Sequence, residues 1–174
     1  MIRLRSTKLL SGVSAIAVLA TFGAAGTAQA ALTFSGVNLY PPIVNTAETD
    51  TITVDTLALI NSDDQTGSPD QGNSITNEID MSGAGDKITI DNATLAGGIL
   101  NRTGVTIASS DAAAILLTNT AVMGGAFINQ GILSGGTDGV TVDNSHVIRG
   151  MFNDVGATIV GATSGDTGGA AIEA

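Results

Sequence analysis

The chain has 174 residues, enough for one domain of ordinary size. Glycine is abundant at 23 residues, while aromatics fall to 3% and charged residues to 13%. This excludes a disordered acidic tail, which needs high charge and low hydrophobicity. A net charge of −10 and the absence of cysteine exclude a binder of nucleic-acid phosphates, a disulfide framework, a thiol nucleophile and a cysteine-ligated metal.

Arg3, Arg5 and Lys8 open the chain and an apolar run follows from Val13 to Phe22. Ala28, Gln29 and Ala30 then form a small-residue cleavage motif that predicts a cut before Ala31. Residues 1–30 therefore read as a secretory signal peptide. The apolar core is shorter than the about 20 residues a membrane span requires. Beyond it, Lys87, Arg102 and Arg149 are the only three cations against all 16 acids, which leaves −13.

Three segments repeat a common pattern: Ile88 to Leu95, Ile115 to Val122 and Val140 to Val147. Each reads apolar, any, apolar, polar, Asn, two small or polar residues, apolar, with Gly98, Gly125 or Gly150 three places later. A second pattern interleaves with it. Leu100-Asn101-Arg102-Thr103-Gly104, Ile128-Asn129-Gln130-Gly131 and Phe152-Asn153-Asp154-Val155-Gly156 share an apolar-Asn-turn-Gly plan, with a fainter copy at Ile75 to Ile79.

Alternation such as Ile88-Thr89-Ile90 and Val140-Thr141-Val142 has period two and predicts strands rich in β-branched residues. Glycine, asparagine and aspartate punctuate them where the backbone turns. The predicted fold is all-β, a parallel β-helix or β-solenoid with coils of about 25 residues, behind a signal peptide. Residues 31–81 read as an irregular N-terminal lead-in and capping segment, and 82–174 as solenoid coils that stop in mid-repeat. Stacking predicts one internal column of Ile90, Leu117 and Val142 and another of Leu95, Val122 and Val147. It also predicts structural ladders of Asn92, Asn119 and Asn144 at one turn and of Asn101, Asn129 and Asn153 at another.

The strings Gly97 to Ile107 and Gly124 to Gly135 resemble coils of bacterial autotransporter passengers, over roughly residues 82–172. The resemblance implies a right-handed parallel β-helix exported by a Gram-negative cell and displayed at its surface or released. No cofactor is assigned. Partners would be host or environmental surfaces, or further copies through coil ends. That family carries a C-terminal membrane barrel, and no stretch here alternates like barrel strands with aromatic girdles. The chain thus reads as the N-terminal portion of a longer protein or as a stand-alone relative, touching a membrane only through a barrel it does not contain.

No residue set predicts catalysis. His146, the single histidine, adjoins Ser145 in sequence and reads as a surface polar residue rather than part of a triad. Asp91 and Asp143 share a repeat position two coils apart, within range of an inverting carboxylate pair, but lack accompanying cations and aromatic sugar platforms. Asp63, Asp64, Asp70 and Gly83-Ala84-Gly85-Asp86 contain fragments of calcium-loop chemistry without the tandem repetition that such loops need, so no metal site is assigned. The reading is a structural or adhesive segment acting as a stalk or multivalent contact surface. A β-helical polysaccharide-active enzyme and a self-assembling exported protein are the alternatives.

Overall fold

Residues 30–40, 42–46, 49–63, 72–165 and 172–173 are described by a computed structural model. Every regular element among them is a strand, and the strands pair in parallel within three sheets. The first sheet holds β1 (Ala30–Ser35), β4 (Thr49–Asp55), β7 (Met81–Gly83), β8 (Ile88–Asp91), β11 (Thr106–Ser109), β12 (Ile115–Thr118), β15 (Ile132–Val142) and β18 (Thr158–Gly165). The second holds β2 (Asn38–Leu39), β5 (Leu59–Ile60), β9 (Thr94–Leu95), β13 (Val122–Met123) and β16 (His146–Val147). The third holds β3 (Ile43–Asn45), β6 (Asn73–Asn77), β10 (Gly98–Asn101), β14 (Phe127–Asn129), β17 (Met151–Asn153) and β19 (Ile172–Glu173).

Read along the chain, the strands visit the three sheets in turn, so each circuit lies on the one before. The result is a solenoid-like stack of curled parallel sheets. Alternation along each strand sends one row of side chains inward and the next outward. Val54, Ile90, Leu117 and Val142 stack in one buried column. Ile52, Ile88, Ile115 and Val140 form its neighbour. From the third sheet come Ile43, Ile75, Ile99, Phe127 and Met151, all buried. Small and β-branched residues fill this narrow interior, and Phe127 is its one fully buried aromatic among the described residues.

The column expected from Leu95, Val122 and Val147 is corrected by one residue. Met123 pairs with both Leu95 and Val147, while Val122 pairs with Thr94 and His146 on the outer face. The cause is an extra residue in the preceding turn. Between the first and second sheets, Gly36, Asn92 and Asn144 each make the turn with one residue at positive φ. In the intervening circuits two residues do so, Thr56 with Leu57 and Asn119 with Thr120. Short and long turns therefore alternate up the stack. The added residue is not idle: Leu57 N–H donates to Asn92 O and Thr120 N–H to Asn144 O, each at 2.8 Å.

Pairing also extends below residue 82. β1 pairs with β4 and β4 with β8, so Ile52 to Asp55 lies in register with Ile88 to Asp91. Glycine is required where circuits press together: a Cβ on Gly125 would sit 2.2 Å from Gly98 N, and one on Gly98 1.8 Å from Ala126 O. The short segment Ile115 to Thr118 is strand, as its place in the repeat predicts. Of the signal-cleavage residues, Ala28 lies outside the described residues, Ala30 begins β1 and Ala31 is half-buried within it.

Candidate functional site

The most ordered side-chain array is the corner where the third sheet turns toward the first. Backbone carbonyls with a lone pair to spare line this corner, and a polar side chain there can add a donor to them. Asparagine supplies a two-hydrogen donor and an acceptor on one short side chain. Asn45 Nδ2 donates to Asn77 Oδ1 at 2.7 Å, and Asn77 Nδ2 to Asn101 Oδ1 at 3.2 Å. Asn101 Nδ2 donates to Asn129 Oδ1 at 3.0 Å, and Asn129 Nδ2 to Asn153 Oδ1 at 2.8 Å. These links join residues 32, 24, 28 and 24 positions apart.

Four of these five amides are also tied to their own turns. Asn77, Asn101, Asn129 and Asn153 donate through Nδ2 to the carbonyls of Ile79, Val105, Gly131 and Ala157. The first four asparagines are buried and Asn153 is half-buried. A ladder of this kind fixes circuit spacing and register at once, because Asn77, Asn101 and Asn129 each accept from one neighbouring asparagine and donate to the next. Asn45 was absent from the sequence reading, and Asn77 stood only in a faint copy.

The turn asparagines behave differently. Asn92, Asn119 and Asn144 all have positive φ, but the bonds across this turn are heterogeneous. Asn119 Nδ2 donates to Asp91 Oδ1 at 2.8 Å, and Thr120 Oγ1 to Asn92 Oδ1 at 3.2 Å. The extra residue offsets Asn119 from Asn92, so an asparagine meets an aspartate and a threonine meets an asparagine. This array is exposed, unlike the corner ladder.

Beside that turn, Asp55 and Asp91 stack directly, with Thr118 next in the row. Asp143 follows Val142, the partner of Leu117, and so occupies the fourth place. Asp91 is held by Asn119, which makes it part of the scaffold. Asp55 Oδ1 is shielded from solvent without a hydrogen-bond partner.

Ser145 is buried; its Oγ accepts from Ala121 N–H at 3.1 Å and donates to Asp143 O at 2.8 Å. His146 points outward in the row of Thr94 and Val122 and is exposed. The two neighbours in sequence therefore face opposite ways, and the serine hydroxyl is already committed.

Other carboxylates brace the circuits, which sequence reading did not detect. Asp80 Oδ1 accepts Thr106 N–H, Asp86 Oδ1 accepts Ala113 N–H, and Asp111 Oδ1 accepts Gly85 N–H. Each bond crosses to an adjacent circuit, with separations of 26 or 27 residues. Asp63 Oδ1 accepts Asn73 N–H at 2.6 Å, and Asp64 and Asp70 lie outside the described residues. Among the described residues no three of His, Cys, Asp and Glu converge as a metal cluster. Lys87 is fully buried and donates from Nζ to Ala84 O. No protein-family model, curated protein or solved structure matches the chain.

The outer face of the third sheet differs from the rest of the surface. Its outward row runs Val44, Thr76, Leu100, Ile128, Phe152. Past the buried asparagines, the turn carries Glu78, Arg102, Gln130 and Asp154 at successive levels. Arg102 Nε lies 3.4 Å from Glu78 Oε1, and Gln130 Nε2 donates to Asp154 Oδ2 at 3.2 Å. One ion pair and one hydrogen bond thus each join two adjacent levels of this turn.

Proposed function

We propose that the chain is a segment of an exported parallel β-helix with coils of about 25 residues, similar to an autotransporter passenger, serving as a stalk or multivalent contact surface. The single observation that carries this reading is the buried ladder from Asn45 to Asn153, which couples successive circuits through side chains as well as backbone. A stack tied in this way resists bending and presents equivalent outward residues at a spacing of about 4.8 Å. Multivalent contact follows from repetition, because weak contacts at many levels add through effective concentration. The export step is supported by the sequence pattern of residues 1–30, and surface display by the resemblance of residues 82–172 to passenger coils.

Fractionation of cells, followed by an immunoblot with antibody to residues 82–172, tests the reading. The expected result is a signal at the outer membrane or in the medium, in a band well above the about 14 kDa of the chain without its leader. Retention in the cytosol with the leader uncleaved would overturn it. A band near that small size in the periplasm would replace display with a stand-alone exported protein.

A further inference from the structure

The outward row of the third sheet is apolar over the three consecutive levels Leu100, Ile128 and Phe152, with Thr76 preceding and Glu173 following in register. Leu100 and Ile128 are half-buried, Phe152 is 39% exposed and Val44 52% exposed, while Thr76 is buried between Val44 and Leu100. At the neighbouring corner Ile132 and Val155 are also exposed. Scattered apolar surface residues need no explanation, whereas Leu100, Ile128 and Phe152 form one contiguous strip of the kind a partner can cover.

Its dimensions argue against a second copy as occupant. Val44 to Phe152 spans four strand spacings, about 19 Å. One row of that length offers a few hundred Å², short of the roughly 800 Å² per partner that a stable pair buries. Two copies, each with 16 acids, would also repel.

Charge points instead to a basic partner. The corner beside the row carries Glu78, Asp80 and Asp154 against Arg102, which pairs with Glu78, while Arg149 is exposed at the opposite edge before β17 and Lys87 is buried elsewhere.

Spacing selects the partner's conformation. An extended strand presents same-face residues every 6.7 Å or about that, against about 4.8 Å between circuits. An α-helix lying along the stack presents one apolar residue per turn of about 5.4 Å, a closer match over three levels. We propose that Leu100, Ile128 and Phe152 dock a cationic amphipathic α-helix lying along the stacking axis, with its basic residues toward Glu78, Asp80 and Asp154. The proposal rests on the contact-surface reading above and names the partner's chemistry.

The test uses the protein purified from the cells that make it. The probe is a fluorescent peptide of lysine and leucine, with leucines spaced to form one helical face. Binding is followed by anisotropy at low and high salt. Expected are saturable binding, weakening at high salt, and a loss of at least about tenfold on replacing the leucine face by serine or the lysines by glutamate. The double substitution Ile128→Ser with Phe152→Ser should lose at least about tenfold as well, while Leu57→Ser, at an exposed turn residue elsewhere, should bind as the parent. Both Ile128 and Phe152 point outward, so the double variant should keep cooperative melting with a modestly lowered midpoint, and the binding comparison is made well below it.

Equal binding by the double variant would overturn the proposal. So would equal binding of the lysine–serine peptide, which would reduce the effect to charge. A dimer in sedimentation that the double variant abolishes would also overturn it, in favour of a second copy. Fractionation reports where the protein is displayed and peptide binding reports on this row, so either result can fail without the other.

Discussion

Asn129 concentrates the physics of the corner. Its Nδ2 reaches Asn153 Oδ1, Gly131 O and Thr158 O, and its Oδ1 accepts from Asn101 Nδ2 and Gly131 N–H. Replacement by alanine leaves Asn153 Oδ1 and Gly131 N–H without these partners at a site fully closed to water. The expected cost is about 2–4 kcal/mol, read as a shift in the urea or thermal midpoint by circular dichroism. Aspartate there is worse at neutral pH, because a buried carboxylate would face Asn153 Oδ1 and two carbonyls. Burial would raise its folded-state pKa above the unfolded value. The Asn129→Asp protein should therefore gain stability on acidification and lose it as pH rises through that folded value. A pH-independent difference between the aspartate variant and the parent would show that water reaches the corner.

The alternation of turn lengths belongs to the element scale. Asn92 and Asn144 suit their left-handed conformation, since asparagine tolerates positive φ. Thr120 and Leu57 do not suit it, and nothing in their residue type announces it. Deleting Thr120 removes a strained residue and leaves a turn like that at Asn92, with Met123 still able to meet Leu95 and Val147. The deletion withdraws one hydrogen bond from Asn144 O and one from Asn92 Oδ1, both at an exposed turn where water can replace them. We expect a change within about 1 kcal/mol. Deleting Leu116 from β12 should instead abolish cooperative folding, because a one-residue slip turns an inner row outward. Equal damage from both deletions, measured by thermal melting, would contradict the assigned turn.

The same turn explains what could be read from the sequence and what could not. Asn101, Asn129 and Asn153 were legible because each is followed by a glycine-marked turn. Asn45 lacks that glycine, being followed by Thr46 and Ala47, and its place in the ladder emerged only from pairing with Asn77. Aligning Val122 with Leu95 assumed equal turns, and Thr120 broke that assumption. The column of Ile90, Leu117 and Val142 precedes the turn, so no insertion displaced it. The bracing role of Asp80, Asp86 and Asp111 was hidden because carboxylate-to-backbone bonds across circuits leave no local motif.

At the scale of the whole molecule, each circuit touches mainly the circuits above and below it, so stability is a sum of local and nearest-neighbour contributions. Val142 offers a way to test this. It is buried between Leu117 and Gly165, one circuit below the last described strand of the first sheet. Val142→Asp would place an unpaired charge among Leu117, Val140 and Val147, at a cost of about 4–5 kcal/mol. If the circuits are coupled only to neighbours, the loss should stay near the lesion. Amide exchange should then quicken across β15 to β18, while β4 to β10 remains protected by its own columns and by the Asn45–Asn77–Asn101 part of the ladder. Uniform loss of protection would mean that the stack unfolds as one unit, with the asparagine ladder transmitting the damage. A stalk whose coils fail one at a time bends under load at its weakest level, and one that fails as a unit keeps its shape until it gives way entirely. The exchange pattern in this single variant therefore bears on mechanical role as well as on stability.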